Sequence, residues 1–345
     1  TNEYVAVRPE LKKQIEELYR KHPEEARDSF GEDPFEVKNI LKYWVFSEKP
    51  EFHVIPTDTI NIHIDKDALL RSGIMLPKTI RHLKGEDLKD AIPDKLYIPL
   101  TDIRMLTKVD LLMLEMLANC NWERPLYLAI SVGSVSKLKF DNYFVQEGLA
   151  FRFTPFDYKK WGDVGENRLY AVDVERLYDN VMNRYKYGGL NTPGLYLDET
   201  TLRTCWYHRR LFAQLAKELI IQGDPARAKK VLAYAEQAVP GYNVPETYES
   251  GSYSIATAYA ALGEKMKAIT LTEHLIAEAE DYINWAFSLK GNRMEMVRND
   301  CIYKFWQWNQ CNELLKGVDE ERYKESNRRF EDKYALFAPN MGYKN

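Results

Sequence analysis

Apolar residues in the first part of the chain recur at helical spacing. They do so over residues 9–30 and again over 35–46, and the run between these stretches contains Gly31 and Pro34, which interrupt helices. Isoleucines then alternate with polar residues at 60–64, a period that is typical of a strand. The pattern therefore predicts helices followed by a strand with one buried and one solvated face.

The next stretch has the pattern of a strand, a helix and a strand. Residues 95–100 and 126–132 are short and apolar, and 107–120 is amphipathic, with Thr107 and Asp110 placed as an N-terminal capping pair. Apolar strands that flank a helix are normally parallel neighbours joined by a right-handed crossover. The sequence therefore predicts a partly parallel sheet covered by helices.

The domain organisation follows from where these patterns end. A further strand is predicted at 149–154, and a stretch rich in Gly and Pro follows, beyond which only helical spacing is found. We therefore assign 1–168 to an α/β domain, 169–200 to a connector and 201–345 to an all-α domain.

The all-α half contains a repeat. The small and large positions of a tetratricopeptide repeat, with a glycine where the first helix of a pair ends, are reproduced by Phe212, Ala216, Leu219, Gly223, Asp224, Ala228, Leu232, Ala235 and Pro240. A looser second copy contains Ala256, Tyr259, Gly263 and Ala268, and an insertion at 241–247 accounts for its longer spacing. The pattern predicts stacked helical hairpins, capped by further helices at 293–316 and 320–337.

Composition narrows the classes of function. The 345 residues include 48 Lys and Arg and 52 Asp and Glu, so the net charge of -4 offers no basic field for a nucleic acid. The chain as given shows neither an apolar run that would cross a bilayer nor a signal sequence. Cys120, Cys205, Cys301 and Cys311 lack metal-ligand spacing, and no nucleotide-binding or hydrolase motif is present. Neither a metal nor a cofactor is predicted.

Polar residues follow the two strands that are predicted to be parallel, at the ends where open α/β sheets bind ligands. Their chemistry suits sugar hydroxyls or a phosphate, and two aromatic residues beyond a later strand are candidates to stack on sugar rings. The candidate ligand-binding residues are Thr101, Asp102, Arg104, Ser131, Ser134, Ser136, Tyr158 and Trp161. The alternative is that the polar residues satisfy turns and caps, and that the aromatic residues pack in the core.

A basic segment opens the all-α half. It contains Arg203, His208, Arg209 and Arg210, and it follows Asp198, which is placed as a helix N-cap. The segment is predicted to be a solvated helix face, and the alternative is a contact with anionic lipid or an acidic partner.

Several runs of residues carry a family resemblance. They lie at 121–127, 147–152, 178–180, 185–189 and 196–199. In these runs the chain resembles the C-terminal region of a bacterial family of polytopic membrane proteins, often described as protein O-mannosyltransferase-like. In membrane glycosyltransferases of that class the catalytic carboxylate lies near the N-terminal membrane helices. The resemblance therefore implies that this region is not catalytic by itself.

Two functions from different classes are consistent with the sequence. The resemblance implies an accessory domain on the periplasmic face of the inner membrane, which binds an acceptor protein, a glycan or its own membrane region through helical repeats. The alternative is an independent tetratricopeptide scaffold for protein assembly.

Overall fold

The computed structural model describes residues 4–132, 138, 140–165, 170–290 and 293–338. The chain divides into two units, Thr1–Asp173 and Val174–Asn345. The named strands all lie in the first unit, whereas the second is built from helices. The predicted order of an α/β part followed by an all-α part is confirmed.

The N-terminal unit combines small sheets with short helices. Its strands are β1 (Tyr4–Val7), β2 (Val54–Ile55), β3 (Thr59–His63), β4 (Lys95–Pro99), β5 (Met105–Thr107), β6 (Tyr127–Ala129), β7 (Phe144–Gln146), β8 (Ala150–Phe153) and β9 (Ala171–Val172). Its helices are α1 (Lys12–Lys21), α2 (Pro23–Phe30), α3 (Val37–Ile40), α4 (Lys66–Arg71), α5 (Gly85–Ala91) and α6 (Lys108–Asn119). The sheets have the orders β2-β1-β5, β3-β4 and β6-β8-β7-β9.

The strand-helix-strand prediction is wrong in its strand pairing. β4 pairs antiparallel with β3, whereas β6 belongs to another sheet and pairs antiparallel with β8. In the β3-β4 register Ile60 lies opposite Ile98 and Ile62 opposite Leu96, so the two strands bury one apolar face together. This match between distant segments selects the partner of β4. The parallel pairs are instead β1 with β2 and β7 with β9.

Strand β3 also differs from the prediction of one solvated face. His63 is exposed as expected, but Asn61 is buried. The segment before α3 covers it, because the backbone N–H of Asn61 donates to the carbonyl of Phe35 at 2.9 Å. The alternation of residues within a strand does not reveal that a segment from elsewhere in the chain covers its polar face.

Helix α6 begins at the predicted capping pair. Thr107 Oγ1 accepts a hydrogen bond from the backbone N–H of Asp110 at 3.3 Å, and Asp110 Oδ2 accepts from the backbone N–H of Thr107 at 2.8 Å. The two bonds form a capping box, which satisfies donors that a helix start leaves unpaired. The cap thus fixes where the buried face of α6, with Leu114 and Leu117, meets the core.

The C-terminal unit is a stack of helices. They are α7 (Val174–Asp179), α8 (Glu199–Ile221), α9 (Pro225–Ala238), α10 (Ser252–Ala261), α11 (Lys265–Ser288), α12 (Arg293–Met296), α13 (Arg298–Val318) and α14 (Glu320–Phe337). α8 packs on α9 and α10, α10 on α11, α11 on α13, and α13 on α14. Within the described ranges, no helix combines the length and apolarity needed to span a membrane.

Small side chains lie where these helices meet. Ala216, Ala228 and Ala256 are completely buried, so neighbouring helices approach closely at these positions. Gly223 and Gly263 have φ values of 79° and 76°, and each supplies the left-handed residue that ends the first helix of a pair. The chain therefore folds into consecutive hairpins, α8 with α9 and α10 with α11.

Enlarging a buried alanine should destabilise the hairpins. We expect Ala228→Leu and Ala256→Leu each to lower the free energy of unfolding by about 1–3 kcal/mol, because the added methyl groups overpack the helix contacts. Ala233 is exposed on α9, so Ala233→Leu should change it by less than about 0.5 kcal/mol. Urea denaturation followed by circular dichroism measures all three. Equal stability of the three variants would contradict close helix approach.

Candidate functional site

The polar residues predicted at strand ends do not meet at one sheet edge. After β4 the exposed residues are Thr101, Asp102 and Arg104, and after β6 Ser131 is exposed. Since β4 and β6 belong to different sheets, the loops that follow them do not leave one common sheet edge. Ser134 and Ser136 lie outside the described residues. A ligand-binding role for this set stays a prediction.

The two aromatic candidates have different surroundings. Tyr158 is fully buried, its hydroxyl donates to the carbonyl of Met75, and burial raises its pKa. Its ring therefore has no face open to a ligand. Trp161 is partly exposed and packs edge-on against Phe156, with ring centroids 5.9 Å apart.

Two of the runs that carry the family resemblance meet in a buried polar cluster. Arg152 and Glu147 form an ion pair at 3.6 Å with side chains only 4% and 5% exposed. Glu147 Oε2 also accepts from the hydroxyl of Tyr127 at 2.8 Å, and Arg152 Nη2 donates to the carbonyl of Ser72 at 2.9 Å. Each charge is thus compensated inside the unit, as a buried pair requires. The cluster joins β6 to β8 and has a structural role.

A groove between the two helical hairpins is the strongest candidate for a binding site. Its volume is about 460 Å³, within the range of about 300–1,000 Å³ that ligand sites occupy. Buried apolar side chains line its floor, namely Leu232, Ala235, Val239, Ile255 and Leu271. Exposed polar side chains and one exposed methionine line its rim, namely Glu236, Met266, Lys267, Thr270 and His274. We call this the hairpin groove.

A polar contact crosses the hairpin groove from one hairpin to the other. Glu236 Oε1 on α9 accepts from the hydroxyl of Tyr259 at 2.5 Å and from Lys267 Nζ at 2.8 Å. The Lys267 ammonium also lies 5.1 Å from the centre of the Tyr259 ring. Burial and the Glu236 carboxylate raise the pKa of Tyr259, so it stays a neutral donor. These bonds fix the width of the groove at this point.

Arg209 holds the wall of the hairpin groove in place. Its side chain is expected on a solvated helix face, but the residue is only 3% exposed, so that prediction is wrong for this position. Nη1 donates to the carbonyl of Pro245 at 2.7 Å and to Ser250 Oγ at 2.9 Å, and Nη2 donates to the carbonyls of Val239 and Val244 at 3.1 and 2.5 Å. Burial lowers the pKa of Arg209 to about 10, so it remains charged at neutral pH.

These bonds define the segment that we call the α9–α10 connection, residues 239–251. It includes the insertion predicted at 241–247, and Val239, Gly241 and Glu246 from it line the hairpin groove. Sequence reasoning missed the groove because it forms only when distant segments pack together. The available signal was Arg209 itself, which stands among apolar positions of α8 and before a long connection.

The lining of the hairpin groove can contact both apolar and polar groups of a ligand. It presents an apolar floor and a rim in which the acid Glu236 is paired with Lys267 and Tyr259. Among the described residues, no group of three or more His, Cys, Asp or Glu is placed to hold a metal ion. Cys205 and the other three cysteines are buried free thiols.

The fold and groove define the class of the chain as an α/β unit followed by stacked helical hairpins with an apolar groove. The profile of a family described as TMEM260-associated domain 2 matches residues 1–175, and the chain belongs to this family. No curated protein and no solved structure matches the chain significantly.

Replacing Arg209 should loosen the α9–α10 connection. We expect Arg209→Met to lower the free energy of unfolding by about 3 kcal/mol, because the methionine keeps the packing volume but leaves buried carbonyls without a donor. Arg203 is exposed and pairs with Glu199 on the same helix, so Arg203→Met should cost less than about 0.5 kcal/mol. Chemical denaturation compares the two. Similar losses of stability in both variants would show that the hydrogen bonds of Arg209 do not stabilise the α9–α10 connection.

Proposed function

We propose that the chain is a non-catalytic binding module whose helical hairpins hold a segment of a partner protein in the hairpin groove. The observation that carries this proposal is the groove itself, with its buried apolar floor and its paired polar rim. An extended peptide offers matching groups. Its apolar side chains can pack on the floor, and its backbone polar groups can bond to the rim.

We further propose that the hairpins are tetratricopeptide-like repeats. The assigned positions Ala216, Leu219, Ala228 and Leu232 are buried where helices meet, and Gly223 ends α8 in a left-handed conformation. Repeats of this kind commonly present concave surfaces to peptides, which supports a protein partner over a small metabolite. Two hairpins are followed by α13 and α14, which cover the apolar face of α11.

The wider setting that we propose is an accessory part of a membrane glycosyltransferase-like protein, on the periplasmic face of the inner membrane. The name of the matched family associates this domain with a membrane protein. The resemblance of several sequence runs to the C-terminal region of O-mannosyltransferase-like proteins supports the same setting. In it, the bound segment belongs to an acceptor protein or to the membrane region of the same protein.

Filling the hairpin groove should weaken peptide binding. We expect peptides selected from a random phage-displayed library on the chain to bind Thr270→Trp at least about tenfold more weakly, because the indole occupies the groove. Thr257 is exposed on α10 and does not line the groove, so Thr257→Trp is the matched control and should bind normally. Titration calorimetry measures both affinities. Failure to select any peptide that is sensitive to Thr270→Trp would refute the proposed function.

The proposed setting predicts a membrane-bound gene product. An antibody against this chain should detect, in the membrane fraction of the native source, a band well above the 40.4 kDa of the chain, because a membrane region would add mass. A calibrated immunoblot of membrane and soluble fractions makes the comparison. A soluble band near 40.4 kDa would instead favour the independent scaffold.

A further inference from the structure

A second concave surface lies near the start of the C-terminal unit. It is on the face of α9 opposite the face that lines the hairpin groove. Its volume is about 490 Å³, and its lining combines aromatic rings with side-chain amides. The rings belong to Tyr185, Tyr187 and Tyr234, and the amides to Asn183, Asn191 and Gln237. We call it the tyrosine groove. It contains the run 185–189, whose role the proposed function leaves unexplained.

The backbone of the tyrosine groove is open to a ligand. Gly188 and Gly189 have φ values of 60° and 75°, a conformation that other residues adopt only with strain. Nothing lies within 4 Å of the position that a side chain would take at Gly188. The two glycines therefore turn the chain and place no side chain beside the aromatic rings.

The central ring of the groove is held rigidly. The hydroxyl of Tyr187 donates to the carbonyl of Val181 at 2.7 Å, and its ring stacks on Phe212 with centroids 5.5 Å apart. The Tyr234 ring meets it edge-on at 5.9 Å. A ring fixed in this way loses little conformational entropy when a ligand packs against it.

The rim of the groove is also fixed before any ligand binds. Asn243 Nδ2 donates to the carbonyls of Leu190 and Thr192 at 2.7 and 2.6 Å, and the hydroxyl of Tyr242 donates to the carbonyl of Asn191 at 2.7 Å. The groove is thus built on rigid supports, as a binding site requires.

We propose that the tyrosine groove binds a neutral oligosaccharide. Sugar hydroxyls donate and accept hydrogen bonds, and the amides of Asn183, Asn191 and Gln237 also carry both a donor and an acceptor. The C–H faces of a sugar ring carry slight positive charge, which matches the negative face of a tyrosine ring such as Tyr185.

The composition of the lining favours a sugar over other ligands. Lys186 is the charged residue of the lining, so the groove offers little positive charge to neutralise a polyanion. The aliphatic side chains are those of Met182 and Ala238, which offer less apolar surface than the floor of the hairpin groove. A peptide that needs apolar pockets would therefore bind better in the hairpin groove.

The experiment is binding of the 345-residue chain to an array of neutral gluco-, galacto-, manno- and N-acetylglucosamine oligosaccharides, with proline-rich and acidic peptides on the same array. We expect at least one oligosaccharide to bind and to be displaced by the same sugar in solution. Tyr185→Ala should weaken that binding by about tenfold through loss of the ring face. Gln237 is exposed, so Gln237→Ala leaves the fold intact and should weaken binding by about fivefold.

Matched controls separate this site from the rest of the chain. Tyr196 is 89% exposed and Gln222 is exposed, and neither lines the groove, so Tyr196→Ala and Gln222→Ala should bind normally. Thr270→Trp should also bind sugar normally, which makes failure here distinguishable from failure of the peptide-binding proposal. Binding of no oligosaccharide, binding of peptides alone, or sugar binding that survives both groove substitutions would overturn the proposal.

Discussion

The buried cation Arg209 positions the α9–α10 connection of the C-terminal unit. Removing a guanidinium from water costs several kcal/mol, and the structure offsets this cost by giving Arg209 four acceptors, three carbonyls and the hydroxyl of Ser250. All four acceptors belong to the α9–α10 connection. A long connection without secondary structure would otherwise be mobile, because it has few backbone bonds of its own. Arg209 thus holds the insertion between the two hairpins in a fixed position.

The α9–α10 connection contributes to both grooves. Gly241 and Glu246 of the α9–α10 connection line the hairpin groove, while Tyr242 and Asn243 from the same connection hold the rim of the tyrosine groove. The side chains of consecutive residues therefore support surfaces with different chemistry. A change that releases the connection from α8 would alter both surfaces, whereas a change in one lining alone would leave the other intact. The α9–α10 connection is thus anchored to α8 through the four hydrogen bonds of Arg209.

The features that could be predicted from sequence are those with local causes. The capping pair of Thr107 and Asp110 and the N-cap at Asp198 depend on residues within one turn, and both form as predicted. The glycine at 223 ends α8 for the same local reason. The partner of β4 and the cover over Asn61 could not be predicted, because each is chosen by a segment far along the chain. Arg209 stands in a basic run, and although the apolar positions around it on α8 signal its burial, its carbonyl partners lie in a distant segment that the sequence does not identify.

The two units differ in how their polar groups are satisfied. In the unit that the family profile covers, the buried charged side chains of the resemblance runs pair with each other, Arg152 with Glu147, and Arg152 also donates to the carbonyl of Ser72. Trp122, whose φ is 60°, is anchored in a similar way, since its Nε1 donates to the carbonyl of His63 at 2.8 Å. Groups satisfied in this way stabilise a fold but have little left to offer a ligand. The helical unit instead leaves an apolar floor, tyrosine rings and amides at open surfaces, which is why both proposed binding sites lie there.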